Sequence, residues 1–220
     1  MERHEGTYAL LREEVAAARA AAPGETLAAA LAMIEPANAA ARAASYAQWD
    51  SIAHPLGGLG DMEDAVARIA AAQGSPQVRE FPRALAVFFA DNGVVAEGIS
   101  QSGQDVTRAV AENMCEGATS ACRMAAFAGA GVVPIDVGMT CGIDDERMVC
   151  ASVRRGTGDI ACGPAATRDE AIRAIEVGIA VAFGLSRTGV SLMAAGEMGI
   201  GNTTTSAAVA AVLLGADPRS

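Results

Sequence analysis

Ala84-Leu85-Ala86-Val87-Phe88-Phe89-Ala90, followed at once by Asp91-Asn92-Gly93, is the stretch whose reading decides the fold. The apolar residues run without polar alternation and stop at a turn-forming triplet. A strand with one face in water alternates apolar and polar residues, whereas an uninterrupted run suits a strand covered on both faces, as in a parallel sheet. Runs at 132–137 and 190–195 read the same way, and helical patterns lie around them at 106–114, 119–128 and 167–185. Strands separated by helices specify βαβ units. The expected class is therefore α/β, a Rossmann-like doubly wound parallel sheet. Its strands end at Asp91-Asn92-Gly93, at Gly138 and at Gly196-Glu197, and open α/β sheets bind ligands outside the carboxyl ends of their strands.

Ahead of this region the pattern is helical. A helix is expected over 7–21, with Thr7 as N-cap and Leu10, Leu11 and Val15 on one face, ending at Pro23-Gly24. A second tract over 26–49 is divided by Pro36, which interrupts the hydrogen-bond ladder. His54-Pro55-Leu56-Gly57-Gly58-Leu59-Gly60 reads as a loop, and Asp61 as the cap of a helix reaching 72. The expected division is an N-terminal helical segment or subdomain at 1–75 and a Rossmann-like α/β substrate-binding domain at 76–220. The last helix, 205–214, is a point from which a doubly wound sheet normally continues, so the second domain is expected to be incomplete at its C-terminus.

Composition narrows the function classes. The chain has 220 residues, 51% hydrophobic and only 4% aromatic, so its core packs small side chains. Sixteen basic against 26 acidic residues give a formal net charge of -10. That excludes a sequence-independent nucleic-acid binder, which needs a basic face to displace counterions. It does not exclude a phosphorylated ligand, because a few backbone N–H groups hold a phosphate on an acidic protein. No apolar run is long enough for a membrane span and the start lacks a secretory pattern, so a cytoplasmic protein is expected. Cys115, Cys122, Cys141, Cys150 and Cys162 include no CxxC, and only His4 and His54 could join them. Buried reduced thiols are expected rather than zinc, and no metal or cofactor is called for.

The strongest motif is Gly196-Glu197-Met198-Gly199-Ile200-Gly201-Asn202-Thr203-Thr204, which follows one expected strand and opens the final helix. Its glycines let backbone approach a ligand, and the helix start adds N–H groups and a partial positive charge. Together these would hold a phosphate. No Gly-Lys-Ser/Thr closes it, so it is not a P-loop. A plain tight turn capped by Asn202 or Thr203 reads equally simply.

As a whole the string resembles the signature of the nicotinate-nucleotide:dimethylbenzimidazole phosphoribosyltransferase family. Residues 89–100 resemble that family's Ala-Asp-His-Gly strand-loop, Gln104-Asp105-Val106-Thr107 its next helix start, and Val133-Pro134-Ile135-Asp136-Val137-Gly138-Met139 its Asp-Val-Gly strand. Residues 155–160 resemble its Gly-Thr loop and residues 54–60 its N-terminal Pro-Gly loop. There are departures. Asn92 stands where the family usually has His, Ser102-Gly103 replaces a common Tyr-Pro, Gly58 a Ser and Asp159 an Asn. Losing an aromatic at 102 removes a stacking surface from the base pocket. The family also continues well past residue 220, and the Glu taken as its general base lies there.

The resemblance implies transfer of phosphoribose from nicotinate mononucleotide to 5,6-dimethylbenzimidazole or a related base, in assembly of the cobamide nucleotide loop. A base nitrogen attacks the anomeric carbon and nicotinate leaves with inversion. Gly156, Thr157, Gly199, Gly201, Asn202 and Thr203 are implied phosphate and ribose contacts. Glu197 is implied in ribose contact or charge stabilisation, or is simply a carboxylate favoured at a helix entry. Ser102 and Gln104 are implied in the base pocket, Gln104 alternatively capping the helix at Asp105. Asp91 either binds substrate or orients its loop, and Asp136 shares that ambiguity. A homodimer is implied. The competing class is a non-catalytic nucleotide- or base-binding module, or a hetero-oligomeric partner.

Overall fold

The computed structural model describes residues 2–217. Two compact units are formed. Residues 31–81 make one, and the chain before and after them makes the other.

The larger unit is built on a four-stranded, all-parallel sheet. Strands β1 (Arg83–Ala90), β2 (Ala130–Gly138), β3 (Val149–Cys150) and β4 (Leu192–Met198) take the order β3-β2-β1-β4. Helices α5 (Asp105–Cys115) and α6 (Ser120–Phe127) connect β1 to β2, and α7 (Arg168–Arg187) leads into β4. The helix α8 (Asn202–Leu214) follows β4 directly. At the other end of the chain lies α1 (Glu2–Ala20), and α2 (Glu25–Ala32) leaves this unit for the other.

The uninterrupted apolar run of β1 has two destinations. Ala84, Ala86 and Phe88 join Leu11, Val15, Val177, Val181 and Leu185 from α1 and α7. Leu85, Val87 and Phe89 join Ala111, Met114, Cys115 and Cys122 from α5 and α6. Alternate side chains thus serve opposite cores, which is why no polar position appears in the run. The expected doubly wound sheet is present. The strand expected at 190–195 is displaced, because pairing with β1 carries β4 on through Phe88↔Glu197 and Phe89↔Met198. Glu197 is therefore a strand residue, not a loop one.

Other expectations need correction. The helix begins at Glu2, so Thr7 lies inside α1 instead of capping it. Gly60 occupies the N-cap of the helix that starts at Asp61. The division at 75 also differs from the observed grouping, since Leu11 and Val15 bury α1 against α7 within the α/β unit. Glu176 in α7 adds a further tie. Its buried carboxylate accepts from the amides of Gly24 and Leu27 at 2.9 and 3.2 Å, holding the start of α2. Among the cysteines, Cys115 and Cys122 are buried but Cys141, Cys150 and Cys162 are exposed.

Residues 31–81 contain α3 (Ala39–Asp50) and α4 (Asp61–Gln73), packed on each other. Asn38 caps α3 by accepting from Ala41 N at 2.9 Å. Asp64 receives Tyr46 Oη at 2.6 Å and Arg42 at 2.5 Å, and these bonds hold its carboxyl below the ordinary value.

On the outer side of the larger unit, β4 pairs only with β1 among the described residues. No residue of α8 is buried, and Val209, Val212, Leu213 and Leu214 are exposed.

Candidate functional site

The order β3-β2-β1-β4 reverses direction between β1 and β4, and a doubly wound sheet opens its ligand crevice at such a switch point. Two loops leave the carboxyl ends of these strands side by side: Asp91-Asn92-Gly93 after β1 and Gly199-Ile200-Gly201 after β4. They touch because position 199 has no side chain. A Cβ there would lie 1.9 Å from Ala90 O and 3.0 Å from Asn92 Nδ2. Gly201 adopts φ +86, the left-handed region that favours glycine, and starts α8.

Ile200, in the middle of this turn, is fixed at both ends of its backbone. Its N–H donates to Thr107 Oγ1 on α5 at 3.2 Å, and its carbonyl accepts from Asn92 Nδ2 at 3.1 Å. The other side of the Asn92 carboxamide accepts from Thr205 Oγ1 at 3.1 Å. The Asn92 carbonyl in turn accepts from Gln104 Nε2 at 3.1 Å. Gln104 stands at the N-cap of α5 but makes no side-chain cap there, so its carboxamide serves the loop and not the helix.

The loop after β3 joins the same end of the sheet. Gly93 N donates to Thr157 Oγ1 at 3.1 Å, and Thr157 N donates to Asp91 O at 2.9 Å. Gly156 has φ +72, and a Cβ there would meet Thr140 Oγ1 at 2.9 Å. Asp91 is buried. Its Oδ2 accepts from Thr140 N at 2.7 Å, while Oδ1 has no hydrogen-bond partner among the described residues. Asp136, also buried, accepts at Oδ1 from Gly138 N and Met139 N of its own turn at 3.0 and 2.8 Å and pairs at Oδ2 with Arg155 at 3.4 Å. It thus orients the loop after β2.

Glu197 lies near the end of β4 and is exposed. Loss of solvation nonetheless pushes its carboxyl up from the ordinary value, against a hydrogen bond from Asn202 that pulls it down. That bond pairs two implied ligand contacts across the turn. The start of α8 is less open than its sequence suggests. Asn202 N and Thr204 N close local bonds onto Gly199 O and Gly201 O at 3.1 and 3.2 Å. Together with Ile200, three amides at the turn are engaged within the protein. Thr203 is exposed there.

One cluster has metal-ligand composition. The ligand atoms of Glu97, Asp159 and Cys162 all lie within 4.8 Å of one another. The thiol donates to Asp159 Oδ2 at 3.5 Å, and this bond pushes the thiol above its ordinary value.

The structure therefore brings Asp91, Gln104, Gly156, Thr157, Gly199, Gly201 and Asn202 to one end of the sheet, with Glu197 alongside. Ser102 is exposed, and its amide donates to Ser100 Oγ at 3.2 Å within its own loop. Asn92, Thr107 and Thr205 are the residues sequence reasoning left without a role. The signal was available for Asn92, since a carboxamide directly after a buried strand has both a donor and an acceptor to place.

Comparisons with known proteins agree with this geometry. A family model described as phosphoribosyltransferase matches residues 34–220. The nicotinate-nucleotide--dimethylbenzimidazole phosphoribosyltransferase of Acetivibrio thermocellus is 47% identical over 164 residues, covering 74% of this chain and 47% of that protein. The protein of the same name from Mycobacterium avium is 38% identical, covering 85% of this chain and 54% of its own length. Among solved structures, the nicotinate-nucleotide-dimethylbenzimidazole phosphoribosyltransferase of Thermus thermophilus superposes with a TM-score of 0.78 at 38% identity, over 83% of this chain and 56% of that one. The chain spans about half the length of the curated relatives it matches.

Proposed function

This chain belongs to the phosphoribosyltransferase family, and from that premise we propose that it binds nicotinate mononucleotide and a benzimidazole-type base and carries the site for phosphoribosyl transfer between them. The observation that supports this most is the convergence of three loops on the switch point. The turn at 199–201, Gln104 beside α5 and the 156–157 loop are all tied to Asn92 or Gly93.

In this reading the start of α8 faces the phosphate through its partial positive charge and the side chains of Asn202 and Thr203, since the amides of Asn202 and Thr204 are spent on local bonds. Gly156 and Thr157 line the ribose side. Thr157 spends its amide on Asp91 and its hydroxyl lone pair on Gly93, so it shapes the loop as well as offering its hydroxyl proton. Gln104 and Ser102 border the base, and Asp91 Oδ1 is the acceptor for a donor reaching the strand end. As nicotinate leaves, positive charge develops on the ribose, and the Glu197 carboxylate stabilises it. Anchoring the phosphate positions the anomeric carbon for the attacking nitrogen. A cytoplasmic homodimer accompanies this reading.

The test is to mix the chain with nicotinate mononucleotide and 5,6-dimethylbenzimidazole and to measure both binding and released nicotinate. Binding with base-dependent release is expected. Binding without release identifies a binding module instead, and absence of mononucleotide binding refutes the proposal.

A further inference from the structure

We infer that Asn92 is a positioning residue that couples the base pocket to the phosphate turn, so that base and phosphoribosyl ligand each tighten the binding of the other. This rests on the functional reading above. It follows from the way one buried residue distributes its bonds. The Asn92 side chain donates to Ile200 O and accepts from Thr205 Oγ1, thereby holding the turn and the first turn of α8. Its backbone carbonyl is held by Gln104 Nε2, the side chain assigned to the base.

A second path runs beside the first. Gln104 and Thr107 lie three residues apart at the start of α5, and Thr107 holds the Ile200 amide. Position 200 is therefore gripped on one side by the helix that begins at Gln104 and on the other by Asn92, to which Gln104 is bonded. Thr107 is fully buried and Asn92 is 8% exposed, so neither bond is easily exchanged for water.

The chemistry demands a carboxamide-like group. Asn offers a donor NH2 group and an acceptor oxygen, and the bonds to Ile200 O and from Thr205 Oγ1 use one of each. A carboxylate would set an acceptor against Ile200 O, and a Leu of similar size would make neither bond. The space is close as well, since a Cβ on Gly201 would lie 3.4 Å from Asn92 Cβ. A base that orders Gln104 thus orders the Asn92 peptide, and with it the turn, before phosphate arrives. By linkage the effect is equal in both directions, and couplings of this kind are typically about fivefold or more.

The experiment titrates 5,6-dimethylbenzimidazole by its fluorescence into the 220-residue chain, with and without saturating ribose 5-phosphate. That probe carries the phosphate and sugar but no nicotinate, so no transfer interferes. In the unsubstituted protein the base should bind about fivefold more tightly with the sugar phosphate present. Asn92→Leu should reduce that factor to less than twofold while each ligand still binds, and Thr205→Val should reduce it part of the way. An undiminished factor in Asn92→Leu overturns the inference. Should Asn92→Leu fail to fold, by circular dichroism, the Thr205→Val result decides, and an unchanged factor there overturns it equally. Both ligands binding independently in the unsubstituted protein refutes the coupling and leaves the functional reading intact. Failure of the protein to bind either ligand removes both.

Discussion

Replacing Gly199 with Ala tests whether the two strand-end loops really meet as closely as their backbones indicate. The added Cβ would lie 1.9 Å from Ala90 O. Ordinary contact requires roughly 3.4 Å, so the loops must separate by about 1.5 Å. A shift of that size breaks the bonds from Asn92 Nδ2 to Ile200 O and from Ile200 N to Thr107 Oγ1, now 3.1 and 3.2 Å long. Two net hydrogen bonds at about 1 kcal/mol each, with about 1 kcal/mol of local strain, give roughly 3 kcal/mol. In urea this moves the midpoint by about 1 M. The only tryptophan, Trp49, lies in the 31–81 unit, so its fluorescence reports the wrong part of the chain. Far-ultraviolet circular dichroism and hydrogen exchange of the amides at 196–205 are the proper readouts. Gly178→Ala is the control, because a Cβ there meets nothing within 4 Å. A Gly199→Ala protein with an unchanged midpoint and unchanged exchange at 196–205 would refute the reasoning.

Two further outcomes are expected. Burial pushes the Cys115 thiol up to about 11, and Cys122 is buried as well, whereas Cys141 is exposed. Alkylation at pH 8 followed by mass spectrometry should modify Cys141 first and Cys115 and Cys122 only after denaturation, since the thiolate is the reactive form. Modification of Cys115 at the rate of Cys141 in the folded protein would contradict the core described. For Glu197, loss of solvation raises the folded-state value above 4.5, so the folded state holds that proton more tightly than the unfolded state. The associated stability is fully present at lower pH and is lost as pH rises from about 4.5 through the raised value. Glu197→Gln lacks this loss, so its melting temperature should match the parent near pH 4 and exceed it near pH 7. Equal melting temperatures at both pH values would count against the assigned environment.

The sheet was legible because β1 must satisfy two cores at once, and an apolar run seven residues long leaves few other solutions. The carboxyl-end placement of the site followed from the same topology. What escaped was decided by contacts distant in sequence. β3 has two residues, too short for any period. The extension of β4 to Met198 is imposed by β1 through pairing, although Gly196-Glu197 reads locally as a loop. Thr7 resembles a cap, but α1 already begins at Glu2. In the site, glycines 156, 199 and 201 were visible because their backbone needs are local. The roles of Asn92, Thr107 and Thr205 exist only once segments about 100 residues apart in the chain are brought together.

Among the described residues, no strand is bonded to the margin of β4 that faces away from β1. Such a margin is a template, and any extended segment laid along it gains main-chain bonds without needing a matching side-chain surface. The helix α8, which follows β4 in the chain, also has exposed leucines and valines. That border therefore leaves room for one more strand beside the switch point, whether supplied by the same polypeptide or by another.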